Sequence, residues 1–107
     1  MREADVRIGI AVVRGRSMQP TLRDGDRLLV VYGATPAAGR VAVVRLPDGV
    51  VAVKRLELLA DDGWWVSRDN PQEGVDSWSS GEPVREVLAV ALCRVWPAPR
   101  RLARHTR

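Results

Sequence analysis

Turn-forming residues break this chain at intervals too short for a long helix and well matched to β-strands. Val6–Arg14 is rich in Val and Ile and reads as a strand. Gly15–Leu22 follows as a loop, with Pro20 barring a regular continuation. Asp24-Gly25-Asp26 is a turn, Arg27–Tyr32 a second strand, and Gly33–Gly39 with Pro36 another loop. Val41–Leu46 and Val50–Leu56 flank Pro47-Asp48-Gly49, the clearest hairpin signal in the chain. Asp61-Asp62-Gly63 turns into the strand Trp64–Ser67, and Arg68–Glu82, polar and rich in turn formers, reads as a long loop. Val84–Trp96 supplies one last strand or two. There is no repeat and no internal linker. The expectation is a small all-β, mostly antiparallel, coiled-sheet domain over residues 1–96, followed by a Pro/Arg tail, 97–107, that reads as disordered.

Charge sharpens that division. Of the 17 basic residues, 16 are arginine and the only lysine is Lys54. All 13 acids lie at or before Glu86, and the tail holds four arginines, so residues 1–96 carry 13 charges of each sign. The net charge of +4 belongs to the tail. Uncharged apolar runs reach about seven residues, against about 20 for a spanning helix. The acids in Met1-Arg2-Glu3-Ala4-Asp5 are unlike a signal peptide, so a cytoplasmic chain without a membrane anchor is expected.

Single residues exclude chemistry as well. One cysteine (Cys93) and one histidine (His105) cannot build a four-ligand zinc site, so no metal and no cofactor is expected. His105 lies in the tail beyond Pro97 and Pro99, where nothing would hold it against a nucleophile. Cys93, in an apolar run, reads as a buried core thiol, and the Asp24/Asp26 pair as a solvated turn.

A two-residue Asp48-Gly49 turn would place Val43 across from Lys54, with Val41 and Ala52 on the same face. Among such neighbours desolvation lowers an amine's pKa from about 10.4, which suits a general base. Arginine cannot fill that role, because its guanidinium does not deprotonate in proteins. On the lysine alone, a base and a chance survivor on a solvated strand face are evenly matched. Ser17, in the Gly15–Leu22 loop, offers a nucleophile with its own N–H as oxyanion donor, although most loop serines only solvate backbone.

Gly15-x-Ser17-Met18-x-Pro20-Thr21-Leu22, followed by Gly25-Asp26-x-Leu28, resembles the nucleophile box of the serine–lysine peptidases, the superfamily of signal peptidase I and the self-cleaving SOS repressors. Lys54-Arg55 resembles the base box. Arg68-Asp69-Asn70-Pro71 with Asp76-Ser77 resembles the third box, an Asp-Asn turn followed by Ser-x-Asp-Ser. The resemblance implies Ser17 as nucleophile and Lys54 as general base. It also implies Gly15 in the nucleophile loop, Asp76 as support for the lysine, Asp69 and Asn70 shaping the turn behind it, and Met18 beside the substrate cleft. Gly74 stands where the first serine of the third box is usual, removing a hydroxyl that would orient Lys54; a water or Ser77 is the expected substitute. Trp78 replaces an arginine that often follows the box.

Within the superfamily, the chain is most similar to the nickel-type superoxide dismutase maturation proteases, through Val13-Arg14-Gly15-x-Ser17-Met18, Val43-Val44-Arg45-Leu46-Pro47, Val53-Lys54-Arg55, Trp64-Trp65-Val66 and Asp69-Asn70-Pro71. Only 16 residues precede Ser17, which leaves no obvious segment for self-cleavage. The similarity implies a precursor protein, bound as an extended peptide and trimmed of its leader, as partner. Alternatives are a signal-peptidase-like or self-cleaving repressor-type peptidase, a catalytically silent interaction domain, or a nucleic-acid-binding β-domain using the four tryptophans. The neutral body weighs against nucleic acid as a partner.

Overall fold

A central strand buried on both faces organises this fold. In the structure, a computed structural model that describes residues 7–104, the strands are β1 (Arg7–Val12), β2 (Arg27–Tyr32), β3 (Val41–Arg45), β4 (Val51–Ala60), β5 (Gly63–Ser67), β6 (Glu86–Trp96) and β7 (Arg100–Arg101). One four-residue helix, α1 (Ser77–Ser80), interrupts them. The domain is all-β and antiparallel, in the order β1-β2-β6-β3-β4-β5, with β7 pairing off β6.

Strand β3 reads Val-Ala-Val-Val without polar alternation because both of its faces are covered. Val41 and Val43 join Leu28, Val30, Val53, Ala89 and Ala91 in one core cluster; Ala42 and Val44 join Leu56, Val66 and Val84 in a second. The first cluster also takes in Val13, Met18 and Leu22, so the loop after β1 is pinned to the core at three points. The second is closed by β5 and α1. Trp64 packs on it, while Trp65 turns outward to meet Trp78 edge-to-face at 5.4 Å, as neighbours on a strand must.

The β3–β4 register differs from that of a two-residue turn by one. Lys54 pairs with Ala42, and Val43 with Val53. Three residues, not two, close the hairpin: Leu46 N–H donates to Val50 O and Gly49 N–H to Leu46 O, with Gly49 at φ +90°. A glycine in the left-handed region ending a three-residue loop makes a bulge that shifts the register. Lys54 therefore stands opposite the second core's Ala42 rather than opposite Val43.

The tail differs more. Residues 97–104 fold back: Arg100 and Arg101 pair with Arg94 and Cys93, and Leu102 is 6% exposed inside the first core cluster. Leu102 enters the core, Arg100 donates to Thr21 O and Arg104 Nε donates to Ala38 O at 2.7 Å, so apolar and polar contacts together hold the segment. His105 and the rest of the expected disordered tail lie outside the described residues, as do Met1–Val6. Cys93 is half-buried rather than a core thiol. Asp26 is buried, not solvated: it accepts from Arg23 N–H at 3.0 Å and faces the Arg94 guanidinium at 3.6 Å. No helix among the described residues is long and apolar enough to cross a membrane.

Candidate active site

The loop after β1 is shaped by its glycine and held by the segment after β5. Gly15 takes φ +81°, a conformation suited to glycine, and its N–H donates to Asp24 Oδ1 at 2.7 Å. Met18 is 1% exposed in the core and does not line the cleft, contrary to expectation; it anchors the loop, with Leu22 N–H donating to its carbonyl. Ser17 is thereby presented at the surface of a buried turn. Its carbonyl accepts from Asn70 N–H at 2.8 Å, and the Asn70 side-chain amide donates to Arg16 O at 2.9 Å. Among the described residues, the Ser17 N–H has no acceptor.

Asn70 is positioned by its neighbour. Asp69 receives Arg55 Nη2 at 2.6 Å and Nε at 3.2 Å, and also the Thr21 hydroxyl. Arg55 is 1% exposed, and its Nη1 donates to Gly39 O and Ala103 O, both at 2.9 Å. A buried charge survives only when paired and hydrogen-bonded, and every arm of this guanidinium is used. The Asp69-Asn70 turn thus ties the nucleophile loop to β4 and, through Arg55, to the folded tail. The sequence motif alone assigns Arg55 no role; its signal is an arginine inside an apolar strand, between Val53-Lys54 and Leu56.

Lys54 stands one residue before Arg55, buried at 3% exposure. Burial lowers its pKa from the ordinary amine value; Asp76 opposes that shift and the Arg68 guanidinium reinforces it. Asp76 carries two tasks. Its carboxylate caps α1 by accepting from Ser79 N–H at 2.9 Å, and Arg68 Nε lies 3.7 Å from it. Ser77, the expected substitute for the missing hydroxyl, is spent elsewhere: its Oγ accepts from Val66 N–H at 2.9 Å under α1.

Gly74 joins these parts. It takes φ +93°, and a Cβ placed on it would lie 2.5 Å from Ser17 Cβ and 3.5 Å from Lys54 Nζ. Ser17 Cβ and Lys54 Nζ are therefore separated by at most those two lengths laid end to end. A serine at position 74 would have to displace Ser17 and hold a left-handed backbone, so the departure from the third box suits this packing. Arg68 fixes the segment by donating to Gly74 O.

A cleft of 680 Å³ opens over the pair, lined by Ser17, Lys54 and Gly74 and by Ala11, Val12, Tyr32, Val43, Val51 and Val53. A smaller cavity of 370 Å³ lies beyond Val75, between the β3–β4 hairpin and α1, and contains neither Ser17 nor Lys54. Among the described residues, no group of three or more His, Cys, Asp or Glu side chains could hold a metal ion.

A family model described as Peptidase S24-like matches residues 3–80. The chain belongs to the peptidase S24-like family. The matched span contains Ser17, Lys54, the Asp69-Asn70 turn, Gly74 and α1, and stops before β6 and β7. No curated protein and no solved structure matches the chain. A peptidase function in general follows from membership of the S24-like family. Its all-β antiparallel domain brings serine and lysine to one cleft and keeps the amine in surroundings that disfavour its protonated form.

Proposed function

We propose that the chain is a serine endopeptidase in which Ser17 is the nucleophile and Lys54 the general base, acting in trans on a precursor protein to remove an N-terminal leader. The observation that carries this reading is the desolvated lysine amine beside Ser17 across Gly74. In the scheme, neutral Lys54 accepts the Ser17 hydroxyl proton as Oγ attacks the scissile carbonyl. The Ser17 N–H stabilises the developing oxyanion. Lysinium returns its proton to the leaving amine, and a water, deprotonated by Lys54, then releases the acyl group.

Nickel superoxide dismutase precursor is the proposed substrate. Its support is the set of sequence similarities to the maturation proteases, together with a cleft of 680 Å³ bordered by Ala11 and Val12 of β1 and by Val43, Val51 and Val53, whose apolar walls suit an extended peptide. Mass spectrometry of that precursor incubated with the protein tests the assignment. A single Ser17-dependent and Lys54-dependent cut is expected; an intact precursor, or equal cutting by Ser17→Ala, overturns it.

A further inference from the structure

Tyr32 lines the cleft from β2. Leu28, Val30 and Tyr32 follow one another along the inward face of β2, and the Tyr32 ring lies against the first core cluster while lining the cleft. Opposite them on β1 stand Ala11, Gly9 and Arg7. Gly9 has no unusual φ to explain it. What it provides is room, since a Cβ there would lie 2.7 Å from Tyr32 Cε2 and 3.3 Å from the hydroxyl oxygen. The ring therefore lies close against the β1 backbone at Gly9. The Arg7 guanidinium sits over the ring, 6.0 Å from its centroid, within reach of a cation–π attraction. Packing, a missing side chain and a cation all hold Tyr32 in one place.

Ser17 lies past the other end of β1. The Tyr32 ring lies at Gly9, and from Gly9 to Val12 an extended chain covers about 10 Å, so a peptide running along β1 from Ser17, beyond Val12, meets Tyr32 four or five residues from the bond to be cut. We propose that Tyr32 is the end wall of the peptide cleft and sets substrate specificity there. It admits small side chains at that remote position and excludes large ones. This inference rests on the endopeptidase reading above. It assigns specificity to a residue outside the serine–lysine pair, and it gives Gly9 the purpose of keeping the ring out of the peptide's path.

The test is cleavage of a randomised decapeptide library, with products sequenced by mass spectrometry and kcat/KM measured on selected peptides. Wild-type protein is expected to reject Phe, Trp and Leu at one position four or five residues from the cut. Tyr32→Ala should accept them with kcat/KM at least tenfold higher, mainly through KM, while preferences beside the cut stay as they were. Tyr32→Phe should keep the exclusion. Gly9→Ala should tighten it by pushing the ring into the cleft, and the effect of Gly9→Ala should vanish in the Gly9→Ala/Tyr32→Ala double variant. If cleavage depends on Ser17 but the Tyr32→Ala profile superimposes on wild type, the end wall is overturned and the endopeptidase stands. An equal effect of Gly9→Ala in both backgrounds also overturns the end wall and leaves the endopeptidase standing. If no cleavage depends on Ser17, the endopeptidase reading fails and the end wall with it.

Discussion

Gly74 and Ser17 are in contact so close that a side chain at position 74 would displace Ser17: a Cβ there would lie 2.5 Å from Ser17 Cβ. Supplying the hydroxyl usual in the third box should therefore harm this protein. Gly74→Ser and Gly74→Ala both force a left-handed conformation costing about 1–2 kcal/mol and displace Ser17. A shift of about 1 Å in a reacting group is worth about a hundredfold in rate. Both variants should lose about that much kcat/KM, measured on any peptide the wild type cuts. A Gly74→Ser variant as active as wild type would contradict so tight a packing.

Lys54 trades stability for function. Burial lowers its pKa in the folded protein, so the unfolded chain binds the proton more readily. Between the lowered folded value and the ordinary value near 10.4, the unfolded state carries more protons, and stability rises with pH. Below the folded value the full cost is present; above the unfolded value it is gone. Lys54→Met removes the charge but keeps most of the stem. Urea unfolding at neutral pH should find Lys54→Met more stable than wild type and without that alkaline rise. Its peptidase activity should fall about a thousandfold or more.

Arg55 and Asp69 form a buried pair at 1% and 8% side-chain exposure, joined at 2.6 Å. Removing one partner strands the other charge, at a cost of about 3–5 kcal/mol. Arg55→Ala and Asp69→Ala should each lower unfolding free energy by that amount in urea titrations. Their effects should be far from additive in the double variant, because the two single changes break the same contact.

Leu102 separates a folded tail from an idle one. At 6% exposure among Val13, Met18 and Leu22, it should cost about 2–4 kcal/mol when changed to alanine. A residue outside the fold would change stability by less than about 0.5 kcal/mol. Thermal unfolding of Leu102→Ala distinguishes the two.

Strands are legible in the sequence where β-branched residues lie between strong breakers. Arg27–Tyr32 matches its strand residue for residue, and β3 and β5 match within one at an end. The β3–β4 register is not legible, because it turns on whether Gly49 closes a two-residue or a three-residue loop, and Pro47-Asp48-Gly49 permits both. Helix α1 escapes detection because four residues are too few to leave a period. Its trace is the cap alone, Asp76 and Ser79 exchanging hydrogen bonds inside a stretch that otherwise reads as loop. The tail misleads through its composition: four arginines outweigh Leu102, yet one buried leucine and the Ala103 carbonyl on Arg55 bind the segment to the domain. In the site, Ser17 and Lys54 are visible as residue types that the chemistry needs. Tyr32, Gly9 and Arg55 matter through long-range contacts that only folding creates.

Activation of Ser17 by a neutral Lys54 underlies the whole proposed chemistry. Treating the protein with a serine-directed acylating probe across a pH series, and locating the adduct by intact-mass and peptide mapping, tests it without any assumption about substrate. One adduct is expected, on Ser17, forming faster as pH rises and the Lys54 amine loses its proton, and absent from Lys54→Met. Labelling of Ser17 at the same rate in Lys54→Met, or a rate flat across pH, would contradict it.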